Sequence, residues 1–269
     1  MRENLFQHLQ DALLEKDPRR KCNSVAMIFA RWGKEQLVRD TGFPTLPIDT
    51  PGKPELPRLV DPRQLSRRTT SSREGRISLL HAFAHIEFNA INIALDAAYR
   101  FRQMPDQFVS DWLLVACEEA KHFNLLSEYL CDQGSFYGEL DAHAGLWDMV
   151  CKTRHDVLHR MALVPRVMEA RGLDVTPGMI KRFTDIGDHR AVDILQVIYR
   201  DEVGHVRIGN HWFQYLCRQR GLNPIDTFRE LVDIYLKGKL RGPFNWQARL
   251  EAGFEAAELK AMEQGLTQQ

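Results

Sequence analysis

Two stretches, "VACEEAKHFNLL" (Val115 to Leu126) and "VIYRDEVGHVRIG" (Val197 to Gly209), each set a glutamate three residues before a histidine inside an apolar helical pattern. On an α-helix that spacing is about 60° of rotation and roughly 4.5 Å of rise, so Glu119 shares a face with His122, and Glu202 with His205. Upstream of each pair lies one more glutamate among apolar residues: Glu87 in "HAFAHIEFNAINIAL" and Glu169 in "MALVPRVMEARGL". The separations nearly repeat, 119 − 87 = 32 and 202 − 169 = 33. Two helical hairpins of matching length would bring these acids to matching depths.

An isolated ionised carboxylate in an apolar core costs several kcal/mol or more. Four such glutamates need neutralising, and two divalent cations balance the charge while two imidazoles complete the ligation. One Glu from each of two helices plus a Glu-x-x-His from each of two others is the ligand pattern of ferritin-like di-iron and di-manganese carboxylate proteins. Oxygen donors with one imidazole per ion suit two iron ions, with manganese or a mixed Fe/Mn pair as the other choices; a structural zinc site would favour thiolates, and no cysteine is suitably placed. Glu118 and Asp201 each precede a Glu-x-x-His motif. From there an acid could accept the N–H of the opposite hairpin's histidine, Asp201 serving His122 and Glu118 serving His205.

Other residues are better read as structural. His81 and His85 are four apart but have no third partner in sequence, so they are read as core or interface histidines, and His155 and His159 are read in the same way. Tyr199 shares the face of Glu202 and is read as a core tyrosine. Pro165, four residues before Glu169, should bend its helix beside a ligand. Gly204 and Gly209 weaken a helix interior, which points to close approach of a neighbour or to space for a ligand.

These side chains need long helices to position them. Apolar periodicity gives four, from about Arg73 to Arg102, Pro105 to Cys131, His143 to Arg171 and Asp188 to Arg220, with a short helix filling Pro177 to Ile186. Two short helices, Glu3 to Glu15 and Asn23 to Val38, come before them, and one from Pro224 to Leu236 follows. The stretch "RGPFNWQARLEAGF" reads as an irregular cap around Trp246. From Thr41 to Thr70 prolines interrupt regular structure, while Phe43, Leu46, Ile48, Leu56, Leu59 and Val60 argue for an extended strap packed on the body rather than a disordered linker. Strand-like alternation is not sustained. The class is all-α: a ferritin-like four-helix bundle over residues 73–221, N-terminal helices and proline-rich strap over 1–72, and a helical extension over 222–269, as one integrated domain.

Composition bounds the function classes. With 44% hydrophobic residues in 269, the chain can bury a large core, and 36 basic against 36 acidic residues give no global pull toward nucleic acid or anionic membrane. The cluster Arg63, Arg67, Arg68, Arg73 and Arg76 could track phosphates, yet reads more simply as solvated surface or partners for local acids. Five cysteines without a C-x-x-C pair disfavour both a disulfide framework and a zinc ribbon, and no apolar run suits a signal peptide or membrane span. A reducing cytoplasm is the expected location, and a monomer or small homo-oligomer the expected state.

The blocks "HAFAHIEFNAINIALDAAYRF", "DWLLVACEEAKHFNLL", "RMALVPRVMEARGLDVTPGM" and "RDEVGHVRIGNHWF" resemble the signatures of a bacterial ferritin-like family of unknown function, and the likeness covers nearly the whole chain. It implies the fold and a ligand set of Glu87, Glu119, His122, Glu169, Glu202 and His205, but no substrate. More remotely, the helix pattern is similar to the di-iron tRNA hydroxylase that acts on a modified adenosine, which leaves tRNA open as a substrate by analogy alone. The expected activity is an O₂-dependent di-iron oxidase or monooxygenase. Its electrons would come from a partner, because no flavin or dinucleotide fingerprint is present. Non-catalytic iron binding, oxidation or storage is the alternative, ranked lower because the strap and tail suit cage assembly poorly.

Overall fold

The computed structural model describes residues 3–65 and 69–267, so Arg67 and Arg68 of the arginine cluster lie outside the described residues. The protein is all-α, its only strands among those residues being two-residue segments that pair Glu3–Asn4 with Leu37–Val38 in parallel. The chain divides into two compact units, residues 1–151 and 152–269. No helix among the described residues is long and apolar enough to cross a membrane. All five cysteines are free thiols.

In the first unit, α1 (Leu5–Leu14) and α2 (Pro18–Gly33) precede the long pair α3 (Arg73–Arg100) and α4 (Asp106–Asp132), and α5 (Gly145–Lys152) closes the unit at its boundary. Helix α2 begins earlier than its apolar pattern suggests, because Asp17 caps the backbone N–H of Arg20 at 2.8 Å and Pro18 takes the first helical position, where its missing N–H costs nothing. It also ends earlier, at Gly33, with Leu37–Val38 leaving as a strand. From Leu80 to Tyr99 helix α3 is mostly apolar and is buried except at Phe83 and Ile86, so a glutamate at position 87 is conspicuous. Lys21 is wholly buried. Its ammonium donates to Ala12 O and Leu13 O, both at 3.0 Å, and to Asn92 Oδ1 at 2.6 Å, tying the carbonyl end of α1 to α3. Burial pulls its pKa down to about 7.

The proline-rich segment is a strap. Gly52 N donates to Leu13 O at 2.7 Å, Val60 N to Ala142 O at 2.8 Å, and Trp147 Nε1 to Asp49 O at 2.8 Å. Its packing residues are partly other than the sequence suggests: Ile48, Pro51, Gly52 and Pro57 are buried, whereas Leu46, Leu56 and Leu59 face solvent. A Cβ at Gly52 would come within 2.2 Å of Leu14 O, so only glycine lets the strap lie this close to α1. Arg73 and Arg76 donate to the carbonyls of Gln133 and Thr70, which makes them local anchors.

The second unit departs most from periodicity. In place of one helix to Arg171 there are α6 (Val157–Leu163), a π-helical turn over Val164–Glu169, and α7 (Ala170–Asp185), followed by α8 (His189–Arg220). Pro165 supplies no N–H and crowds the preceding turn, and the widened π turn is how the chain absorbs it. Helix α7 runs on through Gly172 and Pro177, where the sequence suggests a break. Buried Leu173 and Thr176 and the Asp174 carboxylate, held by Arg249 Nε at 2.9 Å and Nη2 at 2.8 Å, outweigh the roughly 3 kcal/mol that an internal proline costs.

Helix α9 (Pro224–Leu236) matches its sequence pattern, but the tail is helical rather than irregular: α10 (Trp246–Glu251) and α11 (Ala256–Thr267). Asn245 caps α10 by accepting from Ala248 N at 3.3 Å. The tail packs around buried Arg249, while Trp246 is only half-buried. Arg166, in the π turn, is wholly buried; it donates to Asn210 Oδ1 and Glu258 Oε1, both at 2.7 Å, and stacks on Phe213, Phe228 and Phe254.

The two glycines of α8 have different roles. A Cβ at Gly209 would meet Pro165 Cβ at 2.2 Å, so Gly209 admits the π turn against α8, whereas a Cβ at Gly204 meets nothing within 4 Å. Gly209→Ala should therefore destabilise by about 1–3 kcal/mol through overpacking, and Gly204→Ala should be neutral or stabilise by up to about 1 kcal/mol. Urea denaturation of the two variants checks this; equal effects would contradict the packing described.

Candidate metal centre

The long pair α3 and α4 turns back on itself across Phe101 to Pro105, and this hairpin brings Glu87 of α3 to the Glu119–His122 face of α4. All three are buried, Glu119 and His122 with no exposure at all. His122 Nδ1 lies 3.3 Å from Glu87 Oε2 and 3.4 Å from Glu119 Oε2. One ligand atom from each of the three falls within 4.8 Å of the others, a spacing that a single cation can bridge.

The electrostatics of this trio are those of a site short of positive charge. Burial, followed by repulsion from Glu119, raises the Glu87 carboxyl well above the usual carboxylate range. Burial also works against the His122 imidazolium, but the hydrogen bonds and charges of Glu119 and Glu87 outweigh it and lift His122 to about 10. Without a metal, protons must hold the two acids and the imidazole together. Glu87 Oε2 is buried and makes no hydrogen bond of good geometry. A cation ligated by the three would supply the missing charge, and the donor set of carboxylate oxygen and imidazole nitrogen fits iron or manganese.

The second unit holds the matching motif on α8. His205 is wholly buried and Glu202 is buried, with His205 Nδ1 3.7 Å from Glu202 Oε1. Glu169 is half-buried at the last position of the π turn. A π turn shifts every later side chain around the helix axis, so Pro165 and Gly209 together set where Glu169 presents its carboxylate. Glu118 is half-buried on α4. Asp201 has a side chain only 8% exposed, with Arg200 Nε 3.1 Å from its Oδ1, so it is not a surface-covering acid.

The remaining candidates have structural partners. His81 Nε2 accepts from Gly138 N at 2.9 Å, and His85 lies 3.0 Å from both Tyr137 OH and His143 O, which makes them turn-anchoring core histidines. Tyr199 is half-buried and accepts from Asn245 Nδ2 at 3.2 Å, fastening the tail. His159 Nδ1 lies 2.8 Å from Tyr235 OH. Residues that sequence reasoning missed are Lys21, Arg166 and Arg249, each buried against acceptors remote in the chain. A charged residue amid apolar neighbours was the available signal for Arg166, whereas Lys21, beside Arg19, Arg20 and Asn23, gave none.

Sequence comparison places the chain in a family. A protein from Haemophilus influenzae carrying the name "Uncharacterized protein" is 44% identical over 264 residues, covering 94% of this chain and 92% of its own. No solved structure matches. The family model described as "Protein of unknown function (DUF455)" matches residues 14–260. The chain therefore belongs to that family.

Proposed function

We propose that the two helical hairpins form one ferritin-like four-helix bundle that holds two iron ions and acts as an O₂-dependent oxidase or monooxygenase. The observation that carries this reading is the buried trio of Glu87, Glu119 and His122, which is costly without a cation and has its motif repeated by Glu202 and His205. Glu87, Glu119 and His122 would serve from one hairpin, and Glu169, Glu202 and His205 from the other. Manganese or a mixed pair would satisfy the same donors.

Bound iron would supply the electron transfer to O₂ that the side chains of this protein cannot perform alone. The chain's own residues do the rest. Burial of Glu119, His122 and His205 keeps water from the centre. Asp201 would hold the His122 ring and Glu118 the His205 ring, each fixing the tautomer that leaves one nitrogen free to bind metal. Protons shared among Glu87, Glu119 and His122 in the metal-free protein would pass to solvent on metal binding. Electrons are supplied by a partner protein or small reductant.

Two measurements test the reading. Anaerobic Fe(II) titration followed by O₂ should give about two irons per chain, stoichiometric O₂ uptake and no mineral growth, with Glu119→Ala and Glu202→Ala each lowering the iron count. Hundreds of irons per assembly would mean storage, and no binding would overturn the metal reading.

Because the proton that Glu119 and Glu87 hold on His122 up to about pH 10 competes with the cation, apparent affinity should rise from about pH 6 to about pH 8, by about tenfold per pH unit for that proton. The His122 pKa is raised, so protonation, and with it the competition, is greatest at the acid end. Calorimetry in buffers of different ionisation enthalpy counts the protons released. A pH-independent affinity would contradict the proposal.

A further inference from the structure

A cavity of about 200 Å³ lies under the strap in the first unit. Ligand pockets for drug-sized molecules run about 300–1,000 Å³, so this one suits something smaller. Its roof is the segment from Asp49 to Leu59, pinned beside the cavity by Trp147 Nε1 on Asp49 O and by paired backbone bonds between Arg58, Val60 and Ala142. Phe88, Tyr137 and Trp147 supply aromatic lining.

The polar lining is largely committed. Asn92 accepts from Lys21 Nζ at 2.6 Å and donates to Phe88 O at 3.0 Å. His85 Nε2 lies 3.0 Å from the carbonyl oxygen of His143 and 3.1 Å from Asn89 Nδ2, and its Nδ1 lies 3.0 Å from the Tyr137 hydroxyl. Asn89 Nδ2 donates to His85 O at 2.7 Å, which leaves its Oδ1 as an acceptor on offer.

Three charged residues line the same cavity, Asp49 and Lys53 from the strap and Asp148 from α5. Lys53 comes from the strap and is half-buried, its ammonium 3.5 Å from the carbonyl oxygen of Pro54. Asp148 comes from α5, with its side chain exposed at the mouth. A purely anionic ligand would meet Asp148 and Asp49, a purely cationic one would meet Lys53, and a purely apolar one would leave these charges without gain.

From this juxtaposition we infer that the strapped cavity binds a small zwitterion, a free α-amino acid with an apolar side chain. The ligand's carboxylate pairs with Lys53, its ammonium with Asp148 and the aromatic face of Trp147, and its side chain packs on Phe88. This inference does not rest on the metal reading, since every group it uses is present in the metal-free chain.

Calorimetry on the full, metal-free chain tests it with L-leucine and L-phenylalanine. The two halves of leucine's charge, 3-methylbutylamine and 4-methylpentanoate, serve as controls. Leucine should bind at least about tenfold more tightly than either control. Lys53→Met should bring leucine down to the level of the amine, and Asp148→Asn down to that of the carboxylate. Both variants lie at the cavity rim and should keep the parent's helical circular dichroism. The proposal is overturned if neither amino acid binds, if leucine binds no better than its stronger half, or if both folded variants bind leucine unchanged. Iron stoichiometry, measured separately, reports only on the metal centre, so failure of one reading leaves the other standing.

Discussion

Two carboxylates and an imidazole, all shut away from water, cannot occupy a few ångströms of protein interior unless protons or cations share the space. That constraint governs Glu87, Glu119 and His122, and the first unit is built to keep the three in place. Helix α3 is buried on almost every side, α4 packs along it, and the capping of α1 by Lys21 fixes the layer behind. A cluster so costly persists in an otherwise apolar pair of helices only if occupancy by something positive repays it. The second unit keeps a matching Glu-x-x-His on a helix whose partner chain segment is bent into a π turn. The strain of that turn is absorbed where Gly209 leaves room for Pro165.

The helical period makes the central site readable from sequence. Three residues of spacing assign Glu119 and His122 to one face whatever surrounds them, and the hairpin brings Glu87 to that face because α3 and α4 are long and joined by a short connection. The same logic gives the extents of α3, α4, α8 and α9 to within about two residues at each end.

Periodicity carries no information about pairings remote in the chain. Arg166 meets Glu258 across 92 positions and Arg249 meets Asp174 across 75, and these buried contacts carry α7 through Pro177 and turn the tail into helices. A local reading of "RGLDVTPG" sees a helix stop because proline and glycine disfavour helix locally; tertiary packing reverses that preference. The strap shows the converse. Its extended course follows from its prolines, but which of its apolar residues are buried depends on the surface beneath, so Ile48 packs while Leu56 does not.

Anomalous diffraction at the iron edge, from crystals of the iron-loaded protein, tests the central claim most directly. The account predicts two peaks, one touching Glu87, Glu119 and His122 and the other touching Glu169, Glu202 and His205. A single peak, or iron bound only at surface carboxylates while the buried trio stays protonated, would contradict it.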